Sequence, residues 1–312
     1  MSRPADPTLE HPLDVMRAAL AVMDAGRPCA LAFMVGAEGG AVRRPGAVMA
    51  VADDGRVWGY LSGGCIDADI ALQARETLRD NGVRTLRYGA GSPFLDISLP
   101  CGGAIEILIT PIPDRSALIT VCETLEARAT ATLGVDPNGR INAADAENSE
   151  HQTFCYTPKL RLRIAGRGAD LVALARIAAI SGLPCLVQSP DDDCLAAAKA
   201  SGVDDLERLI APNDRIVLKD DAWTAFALMF HDPDWETALL LDALSGPAFF
   251  VGAVGSRRTQ ARRHADLIDA GCAPEHLARL RGPIGLVPRM RDASMLAVSA
   301  LAEIVAAFHA RP

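Results

Sequence analysis

Blocks of apolar residues recur along this chain at spacings that predict helices and strands. In the first half, apolar positions three and four residues apart predict helices over residues 12–26, 67–81 and 116–128. Short apolar runs predict strands over residues 29–35, 47–52, 56–61, 83–88, 104–110 and 129–135. The turn Asp53-Asp54-Gly55 joins two of these strands and indicates a hairpin.

The second half alternates strands and helices more strictly. A strand over residues 160–165 runs into Gly166-Arg167-Gly168, and a helix up to Gly182 and a strand over residues 183–188 follow. This order is typical of the βαβ unit that opens a Rossmann-type fold. Further strands are predicted over residues 215–218, 225–230 and 248–251, and further helices over residues 192–201, 235–244 and 293–310. The predicted fold class is α/β with a parallel sheet in the second half.

A polar stretch separates the two halves. Residues 138–152 are rich in Asn, Ala, Asp and Glu and show no apolar period. A chain of 312 residues is longer than one compact core usually holds, and half of its residues are hydrophobic. We therefore predict two domains, residues 1–155 and residues 156–312.

Charge and composition narrow the classes of partner. The net charge of −8 disfavours nucleic acid, and the chain lacks a polybasic membrane signal. The N-terminus lacks the apolar core of a signal peptide, and no apolar run reaches transmembrane length. The eight cysteines form no Cys-x-x-Cys pair, so a zinc knuckle is not indicated. We expect a cytoplasmic protein with reduced thiols.

Two cysteines adjoin glycine pairs. Ser62-Gly63-Gly64-Cys65 precedes a predicted helix, and Cys101-Gly102-Gly103 precedes a predicted strand. Paired glycines let the main chain approach a ligand closely, and N–H groups at a helix start favour an anion or a thiolate. We expect the two loops to converge on one ligand. The alternative is a pair of tight turns with buried thiols.

Charged residues near these loops have two interpretations each. Arg43 and Arg44 lie on a Gly/Pro loop, where they could clamp a phosphate or form a solvated surface pair. Asp67 and Asp69 follow the first loop. They could orient a metal ligand or accept a proton, although such residues more often cap a helix.

Candidate residues of the second half lie where predicted strands end. Gly166 and Gly168 form the first turn, but Leu171 occupies the third glycine position and Gln188 ends the next strand in place of an acid. The NAD fingerprint is therefore incomplete. His231 follows a later strand, where it could act as an acid, a base or a ligand contact, or simply as a structural hydrogen bonder.

A second glycine turn ends at Gly255 and leads into a helix that begins with Ser256, Arg257 and Arg258. A glycine turn, a helix start and two arginines are typical of an anion site. The alternative is a solvated basic helix start.

Several short motifs, taken together and in order, resemble one family. They are Arg44-Pro45-Gly46-Ala47, Ser62-Gly63-Gly64-Cys65, Leu86-Arg87-Tyr88-Gly89, Cys101-Gly102-Gly103-Ala104-Ile105-Glu106, His231-Asp232-Pro233, Gly252-Ala253-Val254-Gly255-Ser256-Arg257-Arg258-Thr259 and Pro283-Ile284-Gly285-Leu286. The series is similar to the xanthine dehydrogenase accessory proteins of the XdhC/CoxI type, from about residue 13 to residue 308.

The resemblance implies an N-terminal XdhC/CoxI α/β domain and a C-terminal Rossmann-like domain. It also implies a maturation factor rather than a turnover enzyme. Such a protein holds molybdenum cofactor, assists its sulfuration and delivers it to an apo molybdenum hydroxylase of the xanthine, aldehyde or CO dehydrogenase type. A cysteine desulfurase and a second copy of the chain would be its other partners.

The resemblance also implies roles for individual residues. Cys101 with Gly102 and Gly103 would form the cofactor loop, with Cys101 as the thiol at the metal and Cys65 as the second thiol at the same site. Soft thiolates suit molybdenum and transferred sulfur. Phosphate would be held by Arg43 and Arg44, next to Ser62, Gly63 and Gly64.

A nucleotide in the second domain would be NAD(P), FAD or the nucleotide half of a cytosine dinucleotide cofactor. The residues implied to hold it are Gly166, Gly168, His231, Gly255, Ser256, Arg257 and Arg258. Two alternatives stay open. One is a nucleotide- or flavin-dependent oxidoreductase with His231 as acid–base, and the other is a sulfur carrier with a persulfide on Cys65 or Cys101.

Overall fold

The chain divides into two compact units. The computed structural model describes residues 5–64, 66–91, 102–111, 113–143, 152–212 and 220–311. The units are Met1–Pro158 and Lys159–Pro312, a division three residues later than the sequence indicates. Cys65, Cys101 and the strand predicted over residues 215–218 lie outside the described residues.

The first unit is built of layered helices and antiparallel strands. Its elements are α1 (Pro12–Asp24), β1 (Cys29–Glu38), β2 (Val48–Ala52), β3 (Val57–Trp58), α2 (Asp67–Asp80), β4 (Arg84–Gly89), β5 (Ala104–Thr110), α3 (Arg115–Glu126), β6 (Ala131–Val135), β7 (Ile141–Asn142) and β8 (Gln152–Tyr156). The main sheet has the order β3-β2-β1-β5-β4, and a smaller sheet has the order β7-β6-β8.

In two places the strands of the first unit extend beyond the predicted elements, because residues there pair with a neighbouring strand. β1 runs beyond its predicted end because Gly36, Ala37 and Glu38 continue to pair with β5. The polar stretch also contributes β7 and the start of β8, which both pair with β6. Tyr156 ends β8 with its ring buried and donates a hydrogen bond to the Gly46 carbonyl at 2.9 Å, so β8 belongs to the first unit.

Side chains alternate between the two faces of the main sheet, as the period of a strand requires. On one face, Leu31 and Phe33 of β1 join a core with α1 and α3. On the other face, Ala30, Ala32 and Met34 pack with α2. The sheet is thus covered on both sides, and α2 fixes the loop that precedes it against the sheet.

The second unit is a doubly wound α/β structure. Its elements are β9 (Arg161–Gly166), α4 (Gly168–Ile180), β10 (Cys185–Ser189), α5 (Asp192–Ala200), β11 (Asp205–Arg208), β12 (Thr224–Met229), α6 (Pro233–Ser245), β13 (Phe250–Ala253), α7 (Arg257–Asp269), α8 (Pro274–Leu277), β14 (Leu280–Arg281) and α9 (Ala293–His309). The pairs between neighbouring strands are all parallel, in the order β11-β10-β9-β12-β13-β14.

This strand order is that of the Rossmann fold, with β9 as the first strand. Successive strands are added on one side of β9 up to β11 and on its other side from β12 onward, so the strand order reverses between β9 and β12. Ligands of such sheets bind where the carboxyl ends of the strands meet. The predicted α/β class and parallel second sheet are confirmed. No helix within the described part of the chain is long and apolar enough to cross a membrane.

Candidate functional site

The carboxylate of Asp67, the first residue of α2, organises the first glycine loop. Its Oδ1 accepts hydrogen bonds from the N–H groups of Leu61 and Ser62, both at 2.9 Å, and its Oδ2 accepts from Gly64 at 2.6 Å. The Ser62 hydroxyl accepts from the Ile66 N–H at 3.1 Å. Three N–H groups of the glycine loop are therefore occupied by the protein's own carboxylate. Ile66 is the N-cap of α2, so the Asp67 side chain ties the preceding loop together and does not cap the helix itself.

The loop is open on its other side. Gly63 and Gly64 have φ angles of 75° and 110°, which favour glycine. A Cβ on Gly64 would meet no heavy atom within 4 Å, and one on Gly63 would lie 3.5 Å from Cγ1 of Val42. A cleft of about 740 Å³ adjoins the loop, and its mostly apolar wall is formed by Pro7, Thr8, Glu10, Val42, Met49, Val57, Gly59, Tyr60, Gly63, Gly64, Asp67, Ala68 and Ala71.

The second glycine loop is held by close contact of main chains. A Cβ on Gly89, at the end of β4, would lie 2.1 Å from the Gly103 carbonyl oxygen. A Cβ on Gly103 would lie 2.4 Å from the Glu38 carbonyl oxygen. Gly102 has a φ of 67°, and a Cβ there would meet no heavy atom of the described residues within 4 Å. The base of this loop is therefore tightly packed between β1 and β4.

The Arg87 side chain of β4 links the ends of β1, β4 and β5. Its guanidinium donates to Glu106 at 2.7 Å, to Glu38 at 2.9 Å and to the Ala90 carbonyl at 3.0 Å. Hydrogen bonds to the two carboxylates raise the pKa of Arg87. The side chain ties β4 to β1 and β5 beside the second loop.

The described ends of both loops contact one segment, residues 39–42. A Cβ on Gly103 would lie 3.2 Å from the Gly40 nitrogen, and Gly63 faces Val42 as described above. Tyr88 of β4 also donates a hydrogen bond to Asp69 of α2 at 2.6 Å, and burial together with this carboxylate raises the pKa of Tyr88. Asp69 therefore links α2 to the strand that supports the second loop.

Arg43 and Arg44 are held differently from each other. Arg43 donates to the Glu10 carbonyl at 2.6 Å and lies over the Tyr60 ring at 4.8 Å, and Tyr60 in turn donates to the Glu10 carboxylate at 2.5 Å. Arg44 is exposed and forms no ion pair with another described residue. The structure therefore places Arg43 beside the cleft and does not show the two guanidinium groups acting as one clamp.

We expect Asp67→Ala to loosen the first glycine loop, because three N–H groups would lose their acceptor. Loss of hydrogen bonds to a charged acceptor costs about 2 kcal/mol. Urea unfolding measures the loss of stability, and hydrogen exchange at residues 61–66 localises it. Asp67→Asn is the matched control. Its amide oxygen can still accept a hydrogen bond, so this variant should lose only about half as much stability as Asp67→Ala. Equal protection in Asp67→Ala and the parent chain would contradict the assignment.

The six cysteines outside the two glycine loops carry no motif in the sequence, so burial statistics favour core positions for them. Cys29, Cys122 and Cys194 are buried, and burial raises the pKa of Cys29 to about 12 and that of Cys122 to about 11. Cys155 is exposed on β8, so that interpretation is wrong for it. Among the described residues, no group of three or more His, Cys, Asp or Glu side chains could hold a metal ion.

The Gly166-Arg167-Gly168 turn after β9 is occupied by contacts within the protein. A Cβ on Gly166 would lie 2.6 Å from the Met229 carbonyl oxygen, so this glycine permits β9 and β12 to approach. The Gly168 N–H donates to the Cys194 thiol at 3.2 Å. Gln188 at the end of β10 is buried and bonded within the sheet, accepting from Arg163 and donating to Glu207.

A cleft of about 860 Å³ lies instead at the ends of β12, β13 and β14. His231 follows β12, and its Nε2 lies 3.1 Å from Oδ2 of Asp170 on α4. The wall contains four of the predicted residues, His231, Gly255, Ser256 and Arg257, whereas Gly166, Gly168 and Arg258 are not part of it. Successive helical residues point 100° apart, so Arg258 turns away from the side that Arg257 lines.

Hydrogen bonds from α7 hold the glycine turn that ends at Gly255. The Ser256 hydroxyl caps α7 by accepting from the Thr259 N–H at 3.1 Å. Arg263 donates to the Val254 carbonyl at 3.1 Å and Gln260 donates to the Ala253 carbonyl at 3.1 Å, so α7 grips the end of β13. The turn is therefore rigidly joined to the helix behind it.

The loop after β14 supplies residues that the sequence interpretation missed. Arg289 and Arg291 line the cleft together with the apolar side chains of the loop. Glu303 of α9 accepts from the Gly285 N–H at 2.5 Å, and the Ser299 hydroxyl accepts from the Val287 N–H at 2.8 Å. These two arginines follow a Gly/Pro-rich segment, but that pattern by itself does not indicate a cleft.

These features define a two-unit α/β protein with a doubly wound second unit and paired-glycine loops in the first. Residues 22–89 match the XdhC and CoxI family, and residues 162–304 match the XdhC Rossmann domain. The chain is 33% identical over 296 residues to the molybdenum cofactor insertion chaperone PaoD of Escherichia coli K12, covering 93% of this chain and 86% of that one. The chain therefore belongs to the XdhC/CoxI family, as its motifs predicted.

Two further proteins are similar to this chain along most of its length. In Bacillus subtilis 168, a probable xanthine dehydrogenase subunit is 26% identical over 329 residues, covering 91% of this chain and 94% of that one. The crystal structure of a xanthine dehydrogenase from Bacillus halodurans superposes with a TM-score of 0.79 at 22% identity, covering 97% of each chain. The second likeness shows a shared fold.

Proposed function

We propose that this chain binds molybdenum cofactor and assists its insertion into an apo molybdenum hydroxylase. The observation that carries the proposal is the 33% identity to a molybdenum cofactor insertion chaperone along 93% of the chain. The similarity to a probable xanthine dehydrogenase subunit supports a client of the hydroxylase class. On this proposal the protein carries a cofactor and does not turn over a small substrate.

The first unit has the space and chemistry to hold such a group. The cleft of about 740 Å³ is within the usual range for small-molecule sites. Its apolar wall, with Val42 and Met49, suits a flat heterocycle, and the Glu10 carboxylate can accept hydrogen bonds from ring N–H groups. Gly64 and Gly102 would leave room for the bulk of the cofactor, because no heavy atom in the described part of the chain lies within 4 Å of a Cβ on either residue.

We assign Cys65 and Cys101 as the thiols that act on the cofactor. Each adjoins a glycine, Gly64 in one case and Gly102 in the other, at which an added Cβ would contact none of the residues that the structure describes. Bound cofactor would supply the molybdenum and its terminal sulfido ligand, and a soft thiolate suits both. The protein's own contribution is to hold the group, with Arg43 beside the cleft as a cation for its phosphate.

The finer parts of the proposal are sulfuration, partners and cofactor form. A cysteine desulfurase would deliver sulfur as a persulfide on one of the two thiols. The cytosine dinucleotide form of the cofactor, a homodimer and a cytoplasmic location complete the proposal. The bonds of Gln188 and of the Gly168 N–H within the protein disfavour an NAD(P)- or FAD-dependent oxidoreductase with the usual cofactor pose.

The test is release of pterin from the full-length protein purified from molybdenum-replete cells. We expect oxidised pterin in near-stoichiometric amount from the parent chain and at least about tenfold less from Cys101→Ser, because thiolate ligation dominates soft-metal affinity. Cys65→Ser should reduce it less. Cys155→Ser is the matched control, since Cys155 is an exposed thiol of the same unit.

Each outcome bears on a different part of the proposal. No pterin in any variant, together with stoichiometric flavin or nicotinamide nucleotide, would replace the chaperone function with a redox one. Equal pterin in Cys101→Ser and Cys155→Ser would keep the chaperone function and reject the thiol assignment.

A further inference from the structure

The cleft of the second unit has an excess of positive charge. Arg257, Arg289 and Arg291 line it, and none of them forms an ion pair with another residue that the structure describes. Arg163 and Arg263 of the same unit are buried and pair with carboxylates, whereas the three arginines of the cleft are exposed. The contrast is notable because the whole chain carries a net charge of −8. Unneutralised guanidinium groups around a cavity indicate an anionic ligand.

The one carboxylate that the described residues place in the wall of this cleft does not neutralise the arginines. Asp170 has a partner of its own, His231, whose Nε2 lies 3.1 Å away. An incoming anion would therefore meet three arginines and a carboxylate already engaged with an imidazole. Three forked cations match a ligand with several oxygens, such as a diphosphate, better than a single carboxylate group.

Two anchors hold the loop that bears Arg289 and Arg291. Glu303 and Ser299 of α9 bind the N–H groups of Gly285 and Val287. On the opposite wall, α7 grips the strand end that precedes Arg257. Both sides of the cleft are thus set before a ligand arrives, which lowers the entropy cost of binding.

The rest of the wall is apolar. Val254 and Ile284 are buried, and Leu286, Met290 and Leu296 complete this part of the surface. A ligand that satisfies both parts carries an oxyanion at one end and a flat apolar ring at the other. The volume of about 860 Å³ is sufficient for a nucleotide.

We propose that this cleft binds a nucleoside diphosphate group, with Arg257, Arg289 and Arg291 on the phosphate oxygens and the base against Ile284 and Leu296. The site lies at the carboxyl ends of β12, β13 and β14, and the Gly166-Arg167-Gly168 turn takes no part in it. A free nucleotide and the nucleotide half of a dinucleotide cofactor share this chemistry. Binding of a free nucleotide would rest on the second unit alone, whereas binding of the nucleotide half of a dinucleotide cofactor rests on the proposed function as well.

The first test is calorimetric titration of the full-length protein with CDP, ADP and inorganic pyrophosphate. We expect binding of at least one nucleoside diphosphate, weakened about tenfold or more in Arg289→Gln and in Arg257→Gln through loss of a charge-assisted bond. Arg258→Gln is the matched control on α7, and Arg167→Gln is the control at the first turn. Both should bind like the parent chain. Circular dichroism establishes that each variant is folded.

The second test separates the two sources. Nucleotide and pterin are measured after hydrolysis of the protein purified from molybdenum-replete cells, in the parent chain and in Arg289→Gln. Loss of nucleotide with pterin retained identifies a free nucleotide, whereas loss of both identifies the nucleotide half of a dinucleotide cofactor. The proposal is overturned if none of the probes binds, or if Arg167→Gln weakens binding and Arg289→Gln does not.

Discussion

Gly89→Ala should destabilise the first unit by about 3–5 kcal/mol, whereas Gly91→Ala should cost about 1–2 kcal/mol. Both glycines have positive φ, 90° and 75°, so both substitutions carry the cost of a left-handed conformation. The two positions differ in the room that is available for an added Cβ. A Cβ on Gly89 would lie 2.1 Å from the Gly103 carbonyl oxygen, while one on Gly91 would lie 3.5 Å from the Nε of the flexible Arg87 side chain.

The extra cost in Gly89→Ala arises because β4 and the main chain at Gly103 must move apart. Hydrogen-exchange mass spectrometry can follow the two units separately, and we expect lost protection in β4, β5 and the end of β1. Pterin retention should fall with it, since the strained segment is the base of the second glycine loop. Similar losses of protection in Gly89→Ala and Gly91→Ala would show that the contact at Gly103 does not limit the loop.

Periodicity was sufficient to predict most elements of both units, because their apolar positions follow helical or strand spacing over five or more residues. Shorter elements were missed or shifted. β7 has only two residues within a polar stretch, and its pairing with β6 leaves no periodic signal. β13 ends two residues later than predicted because Gly252 and Ala253 continue the parallel ladder with β12.

The candidate sites were predicted less well, since they depend on contacts between distant residues. The motif pattern indicated the two glycine loops, but the capture of three loop N–H groups by Asp67 depends on how α2 begins. Arg289 and Arg291 carry no motif, and only the path of the loop after β14 brings them to the cleft. Arg258 was included because it adjoins Arg257, although helical rotation separates the two.

Arg263→Ala should be the most damaging change in the second unit, with a loss of about 3 kcal/mol or more. The pair it forms with Glu236 is buried, the two residues being 1% and 2% exposed, and two hydrogen bonds of 3.1 and 2.9 Å join them. Truncation leaves the carboxylate inside the protein with only the 3.2 Å bond from Arg262. The Val254 carbonyl also loses a donor.

The neighbouring residue provides a matched control. Arg262 reaches the same carboxylate, but its side chain is 43% exposed, so Arg262→Ala should cost less than about 1 kcal/mol. Urea unfolding of the two variants measures the difference. Comparable losses would mean that burial does not determine the value of these contacts.

Replacing both members of the pair tests whether the loss in Arg263→Ala comes from the stranded carboxylate. Arg263→Met combined with Glu236→Leu removes the charge with its partner, so most of the stability should return. Nucleotide binding should recover less, because no side chain would then bond the Val254 carbonyl at the edge of the cleft. Recovery of stability without recovery of binding would separate the structural role of Glu236 from the positioning role of Arg263. A double variant as unstable as Arg263→Ala would mean that lost packing of the long arginine stem, and not the uncompensated charge, causes the effect.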